Sequence, residues 1–389
     1  MKYTTMTMAT TTVHSFVCFV VFFSMVVVSS SSGQRHPHFC KNTPNSSGQL
    51  TPDYYRFSCP NVFITVKRIV EQAIKCEPRM GASLLRLHFH DCWVSGCDGS
   101  VLLIDIGNFI GEQSAIPNKN SLRGFDVVAQ IKAELNSVCP CGNVVSCADI
   151  LAIAARDSIH ILGGPRYQVL LGRLDSLTAN VADAKNLPSP SSNFTKLIAS
   201  FLSHGFGLKD LVVLSGAHTI GRARCGTFRS RIFNDNDINS NFADGLKTVC
   251  PANASLGGNN TAPFDATTNV FDTVYYQELT RQMGLLHSDQ ELYSGGNQTS
   301  ADLVMKYSKN RAAFWGDFVV SIIKMGNLPP ASSNGQVRCN CSIVNNPSPP
   351  NSHGITTSCP SPPASFFNPG TGPTHCPSLP TSSPNLGSP

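Results

Sequence analysis

Fourteen cysteines follow an apolar N-terminal run, and no other feature restricts the fold of this 389-residue chain as strongly. There are 15 cysteines in all, and Cys18 lies inside the run. Val13 to Val28 is almost unbroken apolar sequence, preceded by Lys2 and followed by the small residues Ser29 to Gly33. That is the layout of a signal peptide, expected over residues 1–32. The run is short for a membrane span and is interrupted by Ser and His, so no membrane association is expected after its removal. In an exported chain so many cysteines predict a disulfide framework. Cys139-Pro-Cys141 and Cys339-Asn-Cys341 lack the CxxC spacing that structural zinc prefers. Sequons at Asn45, Asn193, Asn253, Asn259, Asn297 and Asn340 agree with passage through a secretory pathway.

A net charge of +5 suits a loose attraction to acidic polysaccharide. No basic run or nucleic-acid motif accompanies it, so no nucleic-acid partner is expected. Residues 33–48 are polar and irregular and read as an N-terminal arm. Between Asn61 and Asn327 the apolar residues recur with helical period, as in Val62, Val66, Ile69, Val70, Ala73 and Ile74. Further helices are expected from Pro78 through Phe89, and over 125–138, 148–162, 195–204, 210–214, 270–283 and 312–325. No run of alternating strands appears, so the fold class is mainly α. The globular part is expected over 49–346. Residues 347–389, rich in Pro, Ser, Thr and Asn, cannot bury enough apolar surface to fold alone. They read as an extended tail, either a sorting peptide or a wall tether.

Chemistry concentrates in Leu84-Leu85-Arg86-Leu87-His88-Phe89-His90-Asp91-Cys92. On a helix Arg86 and His90 are four apart and share a face, whereas His88 points elsewhere. This argues against zinc on His88 and His90. A neutral imidazole can take a proton from peroxide, and a guanidinium can steady the anionic leaving oxygen. Cys92 and Cys97 are close enough to close a tight disulfide loop. Asp91, Asp98 and Ser100 offer hard oxygen ligands around it, the carbonyls of Val94 and Gly96 could complete a calcium sphere, and Glu112 could join through a water. His218 stands among small residues in Leu214-Ser215-Gly216-Ala217-His218-Thr219, where a flat macrocycle could approach the backbone and an axial ligand is needed.

In this combination the sequence resembles the class III secretory peroxidases of plants, from Gln49 to about Asn345. The motifs RLHFHDC, GCDGS, NKNSLRGF, VSCADIL, GRxDS, LSGAHTIG and SDQEL carry the resemblance in order. It implies two helical halves, distal (about 49–190) and proximal (about 191–346), with haem b between them and a calcium ion in each. His90 would be the distal acid–base, Arg86 the stabiliser of O–O cleavage, and Asn118 the acceptor that orients His90. Phe89 would wall the distal cavity and Pro188 line the donor site. His218 would be the axial iron ligand, with Asp289 on its second nitrogen. Distal calcium ligands would be Asp91, Val94, Gly96, Asp98 and Ser100, with Glu112 linked. Proximal ligands would be Thr219, Asp265, Thr268 and Asp272. The implied disulfides are Cys92–Cys97, Cys225–Cys250, Cys147–Cys341, and Cys59 with Cys139 in preference to Cys141.

The implied activity is reduction of hydrogen peroxide to water through a ferryl intermediate, with one-electron oxidation of phenolic donors. Its implied settings are phenolic cross-linking, peroxide removal and stress response. The protein would be a secreted monomer of the cell wall, or of the vacuole if the tail sorts it there. A wall-binding structural protein on the same scaffold is the competing class. An ascorbate-type peroxidase fits poorly with the signal peptide and cysteines. Some positions depart from the family. The proximal loop Asp265-Ala266-Thr267-Thr268-Asn269-Val270-Phe271-Asp272 is one residue short of D-x-x-T-P-x-x-F-D, so the proximal calcium rests on a loop of altered length. Trp93 replaces a Phe. Cys40, Cys76 and Cys339 are extra and are expected to be free or mispaired, and Cys359 and Cys376 in the tail have no obvious partners.

Overall fold

The computed structural model describes residues 49–345. The expected signal peptide, arm and tail lie outside them, as do Cys40, Cys359, Cys376 and Asn45. The helices run in the order α1 (Val62–Cys76), α2 (Met80–Trp93), α3 (Phe125–Val138), α4 (Cys147–Ile161), α5 (Val181–Ala184), α6 (Phe194–Ser203) and α7 (Leu208–Ser215). They continue with α8 (Cys225–Asn234), α9 (Ser240–Val249), α10 (Val274–Leu279), α11 (His287–Ser294), α12 (Gln298–Lys309) and α13 (Arg311–Gly326). The mainly α reading is correct. The one small sheet among the described residues pairs β1 (Arg222–Arg224) with β2 (Thr261–Pro263) antiparallel. Strands of three residues are too short to show a period of two.

Helix α4 organises the core. From Cys147 to Ile159 every residue but Arg156 is buried, which is possible only because small alanines alternate with Ile and Leu. Ser146 caps it, its hydroxyl accepting from the Asp149 amide at 3.2 Å. Helices α1 and α2 lie against it, so Leu84 and Leu87 of α2 are fully buried. Each such leucine contributes about 1.5–3 kcal/mol. One continuous core runs from Tyr55 to Cys341, and a smaller satellite gathers Ala223, Phe228, Ile232 and Leu246 behind the sheet.

Sequence periodicity missed α5, α8, α9, α11 and α12. Helix α8 (CGTFRSRIFN) and α11 (HSDQELYS) are polar, and they are stabilised by tertiary partners that periodicity does not encode. In α8 the guanidinium of Arg231 is buried against Asp235, Asp237 and the Gly284 carbonyl. Helix α10 is shorter than expected, because the loop through Asp272 precedes it and Gln282 adopts φ 59° just beyond it.

Disulfides join Cys59–Cys139, Cys92–Cys97, Cys147–Cys341 and Cys225–Cys250, so Cys139 and not Cys141 partners Cys59. The expectation of free or mispaired thiols fails for Cys76 and Cys339, which are disulfide-bonded, as is Cys141.

The carboxylate of Asp149 ties these layers together. Its Oδ2 accepts from the Tyr55 hydroxyl and the Gly172 amide, both at 2.7 Å, and its Oδ1 accepts from Arg173 Nη1 at 2.7 Å. Arg173 in turn donates to the Gly326 carbonyl at the end of α13. Asp149→Ala leaves a buried guanidinium unpaired and should cost about 3–5 kcal/mol. Guanidinium-chloride unfolding checks this against Asp244→Ala, whose exposed pair with Lys247 is worth no more than about 1 kcal/mol.

Candidate active site

Helix α2 presents Arg86 and His90 one turn apart. The His90 Nδ1 lies 2.6 Å from Asn118 Oδ1, and Asn118 Nδ2 donates to the Glu112 carbonyl at 2.9 Å. The second bond fixes the amide orientation, so Oδ1 faces the ring and the ring's proton sits on Nδ1. The free lone pair is therefore on Nε2, where Arg86 Nε donates at 3.1 Å. Arg86 is itself held by the Pro117 carbonyl and by the carbonyl and hydroxyl of Ser121, each at 3.0 Å. Burial, and then the charge of Arg86, lowers the His90 pKa well below its ordinary 6.5, against the Asn118 bond, which raises it. The imidazole is thus neutral at pH 7. Phe89 meets the His90 ring edge-on with centroids 5.6 Å apart and leans on Trp93, so the family's Phe is replaced without loss of an aromatic wall.

Helix α7 ends in a 3-10 turn over Gly216–Thr219 that carries His218. Gly216 is needed there, since a Cβ would lie 2.3 Å from Tyr276 Oη. His218 Nδ1 lies 2.8 Å from Asp289 Oδ1, which also accepts from the Tyr275 hydroxyl at 3.0 Å. The Leu286 amide holds the other oxygen of Asp289. Phe264 stacks flat on the imidazole, 4.2 Å away and 5° from parallel. Asp289 is buried, yet the His218 side chain is 38 % exposed, which leaves Nε2 open.

The two histidine-bearing segments meet at Gly221 and Ala82. Gly221 has φ +98°, and a Cβ on it would lie 2.8 Å from Ala82 Cβ. At this junction Arg79 donates to the Arg222 carbonyl. Arg224 and Arg79 also lower the Arg86 pKa, to about 10, second to burial.

The family model described as "Peroxidase" matches residues 66–310. Peroxidase RIP1 of Medicago truncatula is 55 % identical over 303 residues, covering 77 % of this chain and 92 % of the relative. Peroxidase 4 of Vitis vinifera is 52 % identical over 77 % of this chain and 94 % of its own length. Peroxidase P7 of Brassica rapa subsp. rapa is 49 % identical over 76 % of this chain and all of its own. This chain is a class III plant peroxidase.

A peroxidase of this family is a haem enzyme acting on hydrogen peroxide, and the residues present fit that cofactor. Open Nε2 of His218 offers the axial ligand. Arg79, Arg86 and Arg224 gather at the junction without a carboxylate in salt-bridge range among the described residues, which suits a cofactor that carries carboxylates.

The loop after α2 fits a cation. Asp91, Asp98 and Glu112 are buried and form no salt bridge among the described residues. Burial pushes Asp98 up to about 6 and Glu112 up to about 7, and Asp91 well above the ordinary range. Ser100 Oγ and Glu112 Oε2 are buried with no hydrogen-bond partner. Three buried carboxylates cost stability when charged, and a divalent cation reverses that. Ser95, Gly96 and Gly99 take positive φ to turn the loop, and Val94 is buried beside them.

The proximal cluster departs from the expected set. Thr219 Oγ1 lies 2.7 Å from Asp265 and 3.2 Å from Asp272. In the shortened loop it is the Thr267 hydroxyl that lies 3.2 Å from both carboxylates, while the Thr268 hydroxyl turns to the Asp265 carbonyl. Glu278 joins through the Ala266 amide at 3.0 Å. Neither Thr267 nor Glu278 was singled out from sequence; the loop-length change was the available signal for Thr267, and Glu278 had none. Pro188 is half-buried between α5 and α6, in a loop tied to α11 by the Ser288 amide donating to the Pro190 carbonyl.

Because the His90 pKa lies below 6.5, peroxide consumption should hold its rate through neutral pH and decline only at more acid pH. Asn118→Leu removes the contact that raises this pKa, so the acid limb should move lower still. The plateau should fall about 10–100-fold, because the Nδ1 proton loses its acceptor. Stopped-flow pH profiles of the two proteins test both effects.

Proposed function

We propose that this peroxidase is secreted and couples peroxide reduction to one-electron oxidation of phenolic donors, with His90 as acid–base. The observation that carries the reading is the fixed tautomer of His90, its Nδ1 proton on Asn118 and its Nε2 lone pair beside the Arg86 guanidinium. His90 Nε2 takes the proton of the attacking peroxide oxygen and returns it to the distal oxygen, which leaves as water. Arg86 stabilises the negative charge that develops there and, held by three oxygen acceptors, needs no reorganisation to do so. His218 Nε2 would hold the haem iron. Asp289 takes its Nδ1 proton into a strong hydrogen bond and so makes the imidazole a better electron donor. The haem, when bound, supplies the oxidising equivalents that peroxide delivers and phenols consume. The half-exposed Pro188 loop would receive those phenols.

Buried disulfides support an oxidising compartment, hence secretion, and the apolar run at the N-terminus supplies the route. Monolignol-type phenols of the cell wall are the donor class that this setting offers. Two calcium ions complete the reading, with Asp91, Val94, Gly96, Asp98 and Ser100 around the distal one. Thr219, Asp265, Asp272 and the Thr268 carbonyl would hold the proximal one, with the Thr267 hydroxyl in place of the Thr268 hydroxyl.

In an absorption spectrum the haem-loaded protein should show a Soret band that drops and shifts with one equivalent of hydrogen peroxide and recovers when a phenol is added. His90→Ala should keep the band and lose donor oxidation by about 10²–10⁴-fold. An indifferent band, or full activity in His90→Ala, overturns the assignment. Calcium removal with EGTA should lower the melting temperature, and added calcium should restore it; an unchanged melting curve rejects both calcium sites.

A further inference from the structure

Three tyrosines stand in ring contact between the proximal histidine and the outer face of α13. The Tyr275 ring lies 6.3 Å from the His218 ring, Tyr276 lies 5.1 Å from Tyr275, and Tyr307 lies 5.3 Å from Tyr276. All three are buried. Their hydroxyls end differently. Tyr275 donates to Asp289 Oδ1, which already holds the His218 Nδ1 proton. Tyr276 donates to the carbonyls of Val212 and Val213, which cannot take a proton. Tyr307 donates to Asp317 Oδ2 at 2.8 Å, a carboxylate whose side chain is 18 % exposed beside Lys209 and Lys306.

We propose that Tyr275, Tyr276 and Tyr307 form an internal electron-donor chain that ends in a tyrosyl radical at Tyr307. The chain rests on the peroxidase reading, since peroxide supplies the oxidant. When no phenol is at hand, one electron leaves the Tyr307 ring and passes through Tyr276 and Tyr275 to the haem side, filling one of the two oxidising equivalents that peroxide left. The phenolic proton of Tyr307 moves to Asp317, leaving a neutral radical. A later phenol returns one electron, and the proton goes back from Asp317. Tunnelling falls off exponentially with distance, and ring contacts keep every step of this route short. The radical settles at Tyr307 and not earlier. At Tyr276 no base accepts the proton, and at Tyr275 a second proton on Asp289 would break the bond to His218. The chain would draw oxidising power off the haem in the absence of substrate.

Rapid-freeze electron paramagnetic resonance of the haem-loaded protein, mixed with hydrogen peroxide and no donor, tests this. The protein should give a tyrosyl signal, assigned with ring-deuterated tyrosine. Tyr307→Phe should lose that signal and slow the unaided return of the Soret band, with steady-state phenol oxidation unchanged. Asp317→Asn keeps the tyrosine and removes the proton acceptor, and should also lose the signal. A Soret band that responds to peroxide with no tyrosyl signal, or a signal of full strength in Tyr307→Phe, overturns the chain alone. A Soret band that ignores peroxide overturns the peroxidase reading and the chain with it.

Discussion

Helix α4 is the support on which α2 and its distal residues are packed, and α4 is held at Asp149, a buried carboxylate whose two oxygens are both hydrogen-bonded. Asp149 has no exposed surface, and both its oxygens are occupied by a phenol from the N-terminal segment and by an amide and a guanidinium from the adjacent residues Gly172 and Arg173. The N-terminal segment, the stretch around Arg173 and the end of α13 are thereby fixed to one point. Helix α2 packs on the face of α4 so defined, and the side of α2 turned away from α4 carries Arg86 and His90.

His90 and the distal loop are mechanically linked. His90 leans on Asn118, Asn118 on the backbone of Glu112, and the Glu112 side chain on the Asn180 amide. Glu112 is also one of the buried carboxylates that a cation would neutralise. A cation in the loop would therefore act on the base without touching it, by holding the residue on which Asn118 is oriented. The proximal side has the same logic with different parts. Asp289 is fixed by the Leu286 amide and Tyr275, and Phe264 lies flat on the ring, so the imidazole of His218 has one orientation and one open nitrogen. Thr219, the next residue, joins the cluster of Asp265 and Asp272, so that loop and His218 share a backbone.

Much of this was legible in the residue order because helical period and short motifs act locally. The face shared by Arg86 and His90 follows from a spacing of four, and the long apolar helices α1, α3, α4, α6 and α13 follow from their periodicity. Where stability comes from elsewhere, the sequence is silent. Helices α8 and α11 are polar and lean on partners some fifty residues away, Arg231 on the Gly284 carbonyl and His287 on Asp235, and the sheet is too short to have a period. The preference for Cys139 over Cys141 as partner of Cys59 was legible in its V-C-P context and is borne out, whereas the disulfide bonding of Cys76, Cys141 and Cys339 was not foreseen.

By itself, the sequence determined the fold class, the disulfide-rich character, and the residue types at both histidine sites, because composition and nearest-neighbour geometry suffice for these. Only the tertiary structure decided which ring nitrogen of His90 carries the proton, which threonine faces the proximal carboxylates, and that Cys76, Cys141 and Cys339 are also disulfide-bonded. It also brought Tyr275, Tyr276 and Tyr307 into line and gathered unpaired arginines at the junction of the two segments. Each of these depends on contacts between residues tens to hundreds of positions apart, and such contacts are set by how the whole core packs, which no local pattern records.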